Sequence, residues 1–191
     1  QVLNWSVSEG HIGENCFGGL KVSAKAQVQS YAVLTNIEVT ALLAAEDPAL
    51  SSIFTLCLLS GMRSGEACGL LAEDLTSKGN LGVFINVRPN RLRGLKSKAA
   101  EREVPRHDQM LPIVHTLPSE GPLFPDLNVD RITKRFTFLR RQLDLTRPGL
   151  VFHSTRKWFI TQCERAGVPE HFTASLVGHQ SARSENKLTY G

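Results

Sequence analysis

The stretch from about Pro48 to Ser60 constrains this chain more than any other. Its near-continuous apolar content, at Ile53, Phe54, Leu56, Leu58 and Leu59, predicts a buried helix, and Gly61 closes it. A helix opens just upstream at Thr35-Asn36-Ile37-Glu38, where Thr with Glu three residues on makes a capping box. That helix turns Val39, Leu42 and Leu43 to one face.

Helices also account for much of the chain beyond Gly61. A short one is expected near Ser64 to Leu71, and others over roughly 108–116, 129–143 and 154–166, the last ended by Gly167. Another starts at Pro169, read as a first-turn proline, and runs to about Val177. Two segments read as extended: Leu81-Gly-Val-Phe-Ile-Asn-Val87, rich in β-branched and aromatic residues, and Arg102-Glu-Val-Pro105. They are expected to pair as an antiparallel ribbon. The predicted fold is mainly α with a small antiparallel β-sheet, an α+β arrangement. Residues 1–30 read as a short helix end and a linker through Gly18-Gly19 and Ser23-Ala24-Lys25-Ala26-Gln27, followed by one domain over 31–191.

At 191 residues and 41% hydrophobic content the chain can bury a proper core. No apolar run approaches the roughly 20 residues of a membrane span. The opening Gln-Val-Leu-Asn-Trp-Ser has no start methionine, basic segment or apolar segment, so the expectation is an excised fragment without a signal peptide. Cys16, Cys57, Cys68 and Cys163 include no Cys-x-x-Cys pair and are too few for a disulfide scaffold, so reduced thiols are expected.

The net charge of +4 is unevenly distributed. Residues 86–107 carry seven Lys/Arg against Glu101 and Glu103, a local +5. Residues 131–157 carry eight against Asp144, a local +7, which leaves −8 for the remainder. Two basic segments in an otherwise acidic chain suit a polyanion, because phosphate contacts supply most sequence-independent nucleic-acid affinity. Charge alone leaves two solvated faces equally open.

Three short motifs add chemistry. In Ser60-Gly61-Met62-Arg63-Ser64-Gly65-Glu66 an arginine directly follows a buried helix and its glycine stop, though alone it reads as a surface partner of Glu66. In His153-Ser154-Thr155-Arg156 a His and an Arg share one face of a helix's first turn, where free amides and the positive helix end favour an anion. Leu176-Val177-Gly178-His179 puts an imidazole just past a helix stop, and Tyr190 is one of two tyrosines.

The order Arg63, Lys96, His153-x-x-Arg156, Gly178-His179 and Tyr190 resembles the catalytic series of the tyrosine recombinase (phage integrase) family. Leu-Ser-Gly-Met-Arg-Ser-Gly-Glu resembles that family's first arginine motif. Lys96-Ser-Lys-Ala-Ala-Glu-Arg-Glu-Val-Pro105 resembles its hairpin lysine segment, and Leu-Val-Gly-His its second histidine motif. Leu34-Thr-Asn-Ile-Glu38 is similar to the opening of the catalytic domain, and residues 1–30 to the end of a core-binding domain and its linker.

The resemblance implies a site-specific recombinase that cleaves DNA through a 3′-phosphotyrosyl intermediate. Arg63 and Arg156 would hold the phosphate, His153 would act as the base, His179 would hydrogen-bond the phosphate and Lys96 would protonate the departing 5′ oxygen. Glu66 would orient Arg63 or His153. Tyr190 is the candidate nucleophile, although it follows His179 at a longer spacing than the family's usual one, which leaves a tyrosine beyond residue 191 open. Arg88, Arg91, Arg93, Lys98, Arg135, Arg140, Arg141 and Lys157 are the candidates for DNA contacts.

No metal or other cofactor is implied. The expected partner is double-stranded DNA at attachment sites, with four protomers on two DNA sites for the full-length protein and a monomer for the fragment alone. Its setting would be the cytoplasm and nucleoid of a bacterial or phage-infected cell, with no membrane. The alternatives are a non-catalytic DNA-binding protein of the same fold, a relaxing enzyme of the type IB topoisomerase sort and, distantly, a zinc hydrolase.

Overall fold

The computed structural model describes residues 2–16, 30–45 and 47–179. The chain divides into two units, Gln1–Ser30 and Tyr31–Gly191. In the first, helix α1 (Val2–Ser8) buries no residue, and the Trp5 ring lies 5.6 Å from that of His11. The linker expected through Gly18-Gly19 and Ser23-Ala24-Lys25-Ala26-Gln27 lies outside the described residues.

The second unit is built on helices with sequence-encoded ends. Helix α2 (Asn36–Leu43) begins in the expected capping box: the Thr35 hydroxyl accepts from the Glu38 N–H, and the Glu38 carboxylate accepts from the Thr35 N–H at 2.7 Å. Helix α3 (Pro48–Ser60) has Asp47 accepting from the Leu50 N–H and Pro48 in its first turn. Leu50, Ile53, Phe54, Leu56, Cys57 and Leu58 are all buried, so α3 is the core helix its composition predicts. Phe54 stacks on Phe136, and both meet Phe152 edge-on, with centroids 5.7–6.2 Å apart.

After α3 come α4 (Ser64–Cys68), a 3-10 turn at Ala72–Asp74, and three strands: β1 (Leu75–Ser77), β2 (Val83–Val87) and β3 (Arg102–Pro105). They form an antiparallel sheet in the order β1-β2-β3, with Ile85 opposite both Leu75 and Val104. The sheet has one strand more than the expected ribbon, because β1 is too short to show an alternation. β2 starts two residues later than expected, since Gly79–Leu81 forms a 3-10 turn and Gly82 has φ +85°. Likewise α4 stops at Cys68, and the helix expected over 108–116 is a 3-10 turn, Asp108–Met110, followed by α5 (Leu111–Val114). Helices α6 (Val129–Gln142), α7 (Ser154–Arg165) and α8 (Glu170–Val177) complete the unit, with Pro169 at the N-cap rather than inside α8. The architecture is mainly α with a small antiparallel sheet. No helix among the described residues is long and apolar enough to cross a membrane.

The end of α3 is where the fold begins to make a site. Gly61 ends the helix in the left-handed region, φ +64°, and a Cβ there would sit 2.5 Å from Phe159 Cδ1 and 2.9 Å from Val177 Cγ1. Gly61→Ala therefore combines a left-handed backbone penalty with overpacking, and should cost about 2–5 kcal/mol in urea unfolding. A loss below about 1 kcal/mol would show that α7 and α8 are not packed against this turn as described.

Candidate active site

Four chain segments converge next to Gly61. The first is the turn that carries Arg63 into α4. Arg63 has extended backbone at the N-cap, and its N–H donates to Glu66 Oε2 at 2.9 Å while its Nη1 donates to Glu66 Oε1 at 2.7 Å. Arg63 is thus the partner of Glu66, as its spacing suggests, but Glu66 is buried and Arg63 half-buried, so the pair reaches from the surface into the cluster.

The second segment is the start of α7. Arg156, 2% exposed, sends Nη1 to the Gly61 carbonyl at 2.6 Å and so ties the first turn of α7 to the end of α3. Its Nη2 is buried and has no hydrogen-bond partner among the described residues. An unpaired buried donor in a native fold calls for a reason. Burial, followed by the nearby Arg63 charge, lowers the Arg156 pKa to about 10. His153 sits at the N-cap position of α7, its ring meeting Tyr31 edge-on at 5.6 Å between centroids.

The third is the stop of α8. Gly178 is left-handed at φ +66°, and the His179 N–H returns to the Ala174 carbonyl at 2.9 Å, so the imidazole leaves the helix at a fixed point. The fourth is β3, whose Arg102 donates from Nη2 to Glu66 Oε2 at 2.9 Å.

The electrostatics stem from three guanidiniums around one carboxylate. Burial alone would raise the Glu66 pKa, but the Arg102 and Arg63 hydrogen bonds and the Arg102 charge outweigh it, and the carboxyl titrates below its ordinary value. Burial lowers the pKa of both His153 and His179, and Arg156 and then Arg63 lower each further. Both imidazoles are therefore neutral at pH 7. The assembly is cationic, has an unused buried donor, and holds two neutral imidazoles ready to accept or share a proton. It is suited to a phosphate gaining charge.

The structure thus brings Arg63, Glu66, His153, Arg156 and His179 together. Lys96 and Lys98 stand exposed on the β2–β3 connection, and Tyr190 lies outside the described residues. Among the described residues no three His, Cys, Asp or Glu side chains gather as a metal would require.

The basic segments need correction. Arg93, read as a DNA contact, is 7% exposed; its guanidinium donates to the carbonyls of Glu66, Asn86 and Arg88 and reaches Asp74 at 3.4 Å. It is a structural residue locking the β2–β3 connection onto α4. Counting charges along a chain cannot see that some of them are buried. Several other arginines are engaged at the surface: Arg88 with Asp74, Arg135 bidentately with Asp47, and Arg147 with Glu38. Arg140 donates to the Leu145 carbonyl and Lys157 to that of Tyr31. Arg91, Lys98 and Arg141 are exposed.

Arg102 is the residue the sequence reading passed over. The signal was present: it lies two residues before the buried Val104 on β3, so the strand's period of two puts it on the inner face.

Comparison with known proteins identifies the family and the fold. The model of the phage integrase family matches residues 32–187. The integrase of Escherichia phage P2 is 28% identical over 178 residues, which cover 93% of this chain and 48% of the relative. The chain therefore spans about half the length of that curated relative. Among solved structures, a lambda integrase dimer bound to a COC′ core site superposes with a TM-score of 0.73 at 17% identity, covering 96% of this chain and 54% of that one. The integrase from mycobacterium phage Brujita gives 0.65 at 19% identity, with 94% and 60% covered. The XerA recombinase gives 0.63 at 21%, with 88% and 62% covered. These likenesses show a shared fold. With the family model matching residues 32–187, most of its length, the chain belongs to the phage integrase family.

Proposed function

We propose that this chain is the catalytic domain of a site-specific DNA recombinase that cuts and rejoins strands by metal-free transesterification. The observation that carries the reading is the buried, unpaired Nη2 of Arg156 within a cluster of like charge. Such an arrangement is unfavourable until an anion arrives, and a phosphodiester under attack is an anion whose charge grows.

A tyrosine oxygen attacks the phosphorus and the bond to the 5′ oxygen breaks. The phenol proton passes to His153, kept neutral by burial and by the Arg156 and Arg63 charges, and the departing oxygen takes a proton from Lys96. Arg63 and Arg156 grip the non-bridging oxygens, and His179 donates a further hydrogen bond. Tyr190 is the candidate nucleophile: the covalent adduct should disappear in Tyr190→Phe, and its persistence would place the attack on another tyrosine. Duplex DNA at attachment sites is the substrate, with Arg91, Lys98 and Arg141 among the exposed backbone contacts and four protomers assembling on two sites.

Lys96 and Lys98 are both exposed, so the approach of the acid to the leaving oxygen belongs to the DNA complex. Lys96→Ala should slow cleavage of ordinary DNA by about 10²–10⁴-fold. It should regain near-wild-type cleavage on a strand whose 5′-bridging oxygen is replaced by sulfur, which leaves without a proton. Recovery by Lys98→Ala in place of Lys96→Ala would exchange the two assignments.

A further inference from the structure

We propose that Arg102 is the positioning residue of this site, holding Glu66, the end of α8 and the foot of the lysine-bearing connection in one register. Its side chain is 6% exposed, and each of its three nitrogens serves a different piece of chain. Nη2 donates to Glu66 Oε2 at 2.9 Å, Nε to the Leu176 carbonyl at 2.6 Å and Nη1 to the Ala100 carbonyl at 2.8 Å.

The three acceptors are not equivalent. Glu66 holds Arg63 through its other oxygen, so Arg102 fixes the plane of the carboxylate that orients a phosphate-gripping arginine. Leu176 supplies one of the last carbonyls of α8, which have no partner within the helix, two residues before the glycine that launches His179. Ala100 closes the connection that carries Lys96 and Lys98. Gly178 records how closely these pieces meet: a Cβ there would lie 2.9 Å from Arg102 Nη1 and 3.1 Å from Ala100 Cα. A single planar fork therefore joins the supports of Arg63, His179 and the lysines. A lysine could keep the charge but could not reach three divergent acceptors.

The catalytic half of this inference rests on the recombinase reading, and the structural half does not, so the test has two arms. In the first, carbon-13 NMR follows the Glu66 carboxyl in this chain without DNA. Its pKa should rise in Arg102→Ala, where burial remains and the charged partner is gone, and stay low in Arg102→Lys. An unmoved Glu66 in Arg102→Ala overturns the proposal. In the second arm, the full-length protein acts on a nicked suicide DNA carrying its attachment site. The cleavage rate at saturating DNA should fall about 10–100-fold in both variants, with the half-saturating DNA concentration unchanged.

Arg102→Ala combined with Glu66→Gln should be no slower than the slower single variant, because the two residues act as one unit. Wild-type cleavage by Arg102→Lys, or losses that multiply in the double variant, overturns the proposal. Should Arg102→Ala fail to fold, the rate of Arg102→Lys decides. Should the wild type itself not cleave, the recombinase reading fails, while the Glu66 titration still judges Arg102.

Discussion

Arg156→Met should abolish strand cleavage and leave the fold as stable as the wild type or more so. The two effects have one cause. The guanidinium is buried beside Arg63 and Arg102, Nη2 has no partner, and its pKa is lowered to about 10, so the folded chain bears the desolvation of a charge that Glu66, shared with Arg63 and Arg102, offsets only in part. Desolvating a buried ion costs several kcal/mol, so an apolar side chain of similar length in its place removes a large penalty. Here the orphaned Gly61 carbonyl offsets part of that gain. Cleavage, by contrast, loses a donor aimed at developing charge, and arginines so used are worth about 10³–10⁵-fold. Thermal unfolding and single-turnover cleavage measure the two sides. A variant that cleaves within tenfold of wild type would remove Arg156 from the reacting centre.

Glu66→Ala has the opposite signature, a large loss of stability. Its carboxylate lies between Arg63 and Arg102, and the Arg102 pair is buried on both sides, with side chains 6% and 7% exposed. Removing it leaves three neighbouring guanidiniums uncompensated, and breaking a buried pair in this way costs about 3–5 kcal/mol. Urea unfolding at pH 7 should show that loss. The pH dependence adds a second check. The folded Glu66 pKa is lowered, because Arg102 and Arg63 overcome the effect of burial. The stabilisation is therefore complete above the unfolded value, about 4.3, and is lost as pH falls through the folded value. Wild type should lose stability in that acid window and Glu66→Ala should lack the step. A change below about 1 kcal/mol at pH 7 would mean that solvent already screens the pair.

How far the sequence could be read depended on whether the information was local. Asp47-Pro48 at one end and Gly61 at the other set the limits of α3, and Thr35 with Glu38 set the start of α2, because caps act through neighbouring residues. The grouping of Arg63, Glu66, His153, Arg156 and His179 was legible only through their order along the chain, because each taken alone had a plain explanation as good or better. What the sequence concealed was burial and long-range pairing. Arg93 reads as one of seven basic residues in a DNA-facing segment until Asp74, Glu66 and Asn86 close around it from other elements. The strand period shows that Arg102 points inward but not what it holds, because Glu66 and Leu176 lie 36 and 74 residues away. β1 is held by its pairing with β2, and three residues carry no period of their own.

The cluster around Arg156 is assigned one central task, to stabilise a phosphodiester under attack by a tyrosine. The most direct measurement incubates the full-length protein with a nicked suicide DNA carrying its attachment site and looks for protein covalently joined to the 3′ phosphate, beside Arg156→Met. A covalent band is expected for the wild type, attached through tyrosine, and none for the variant. Cut DNA with free ends and no adduct, or an adduct formed equally well by Arg156→Met, would contradict that assignment.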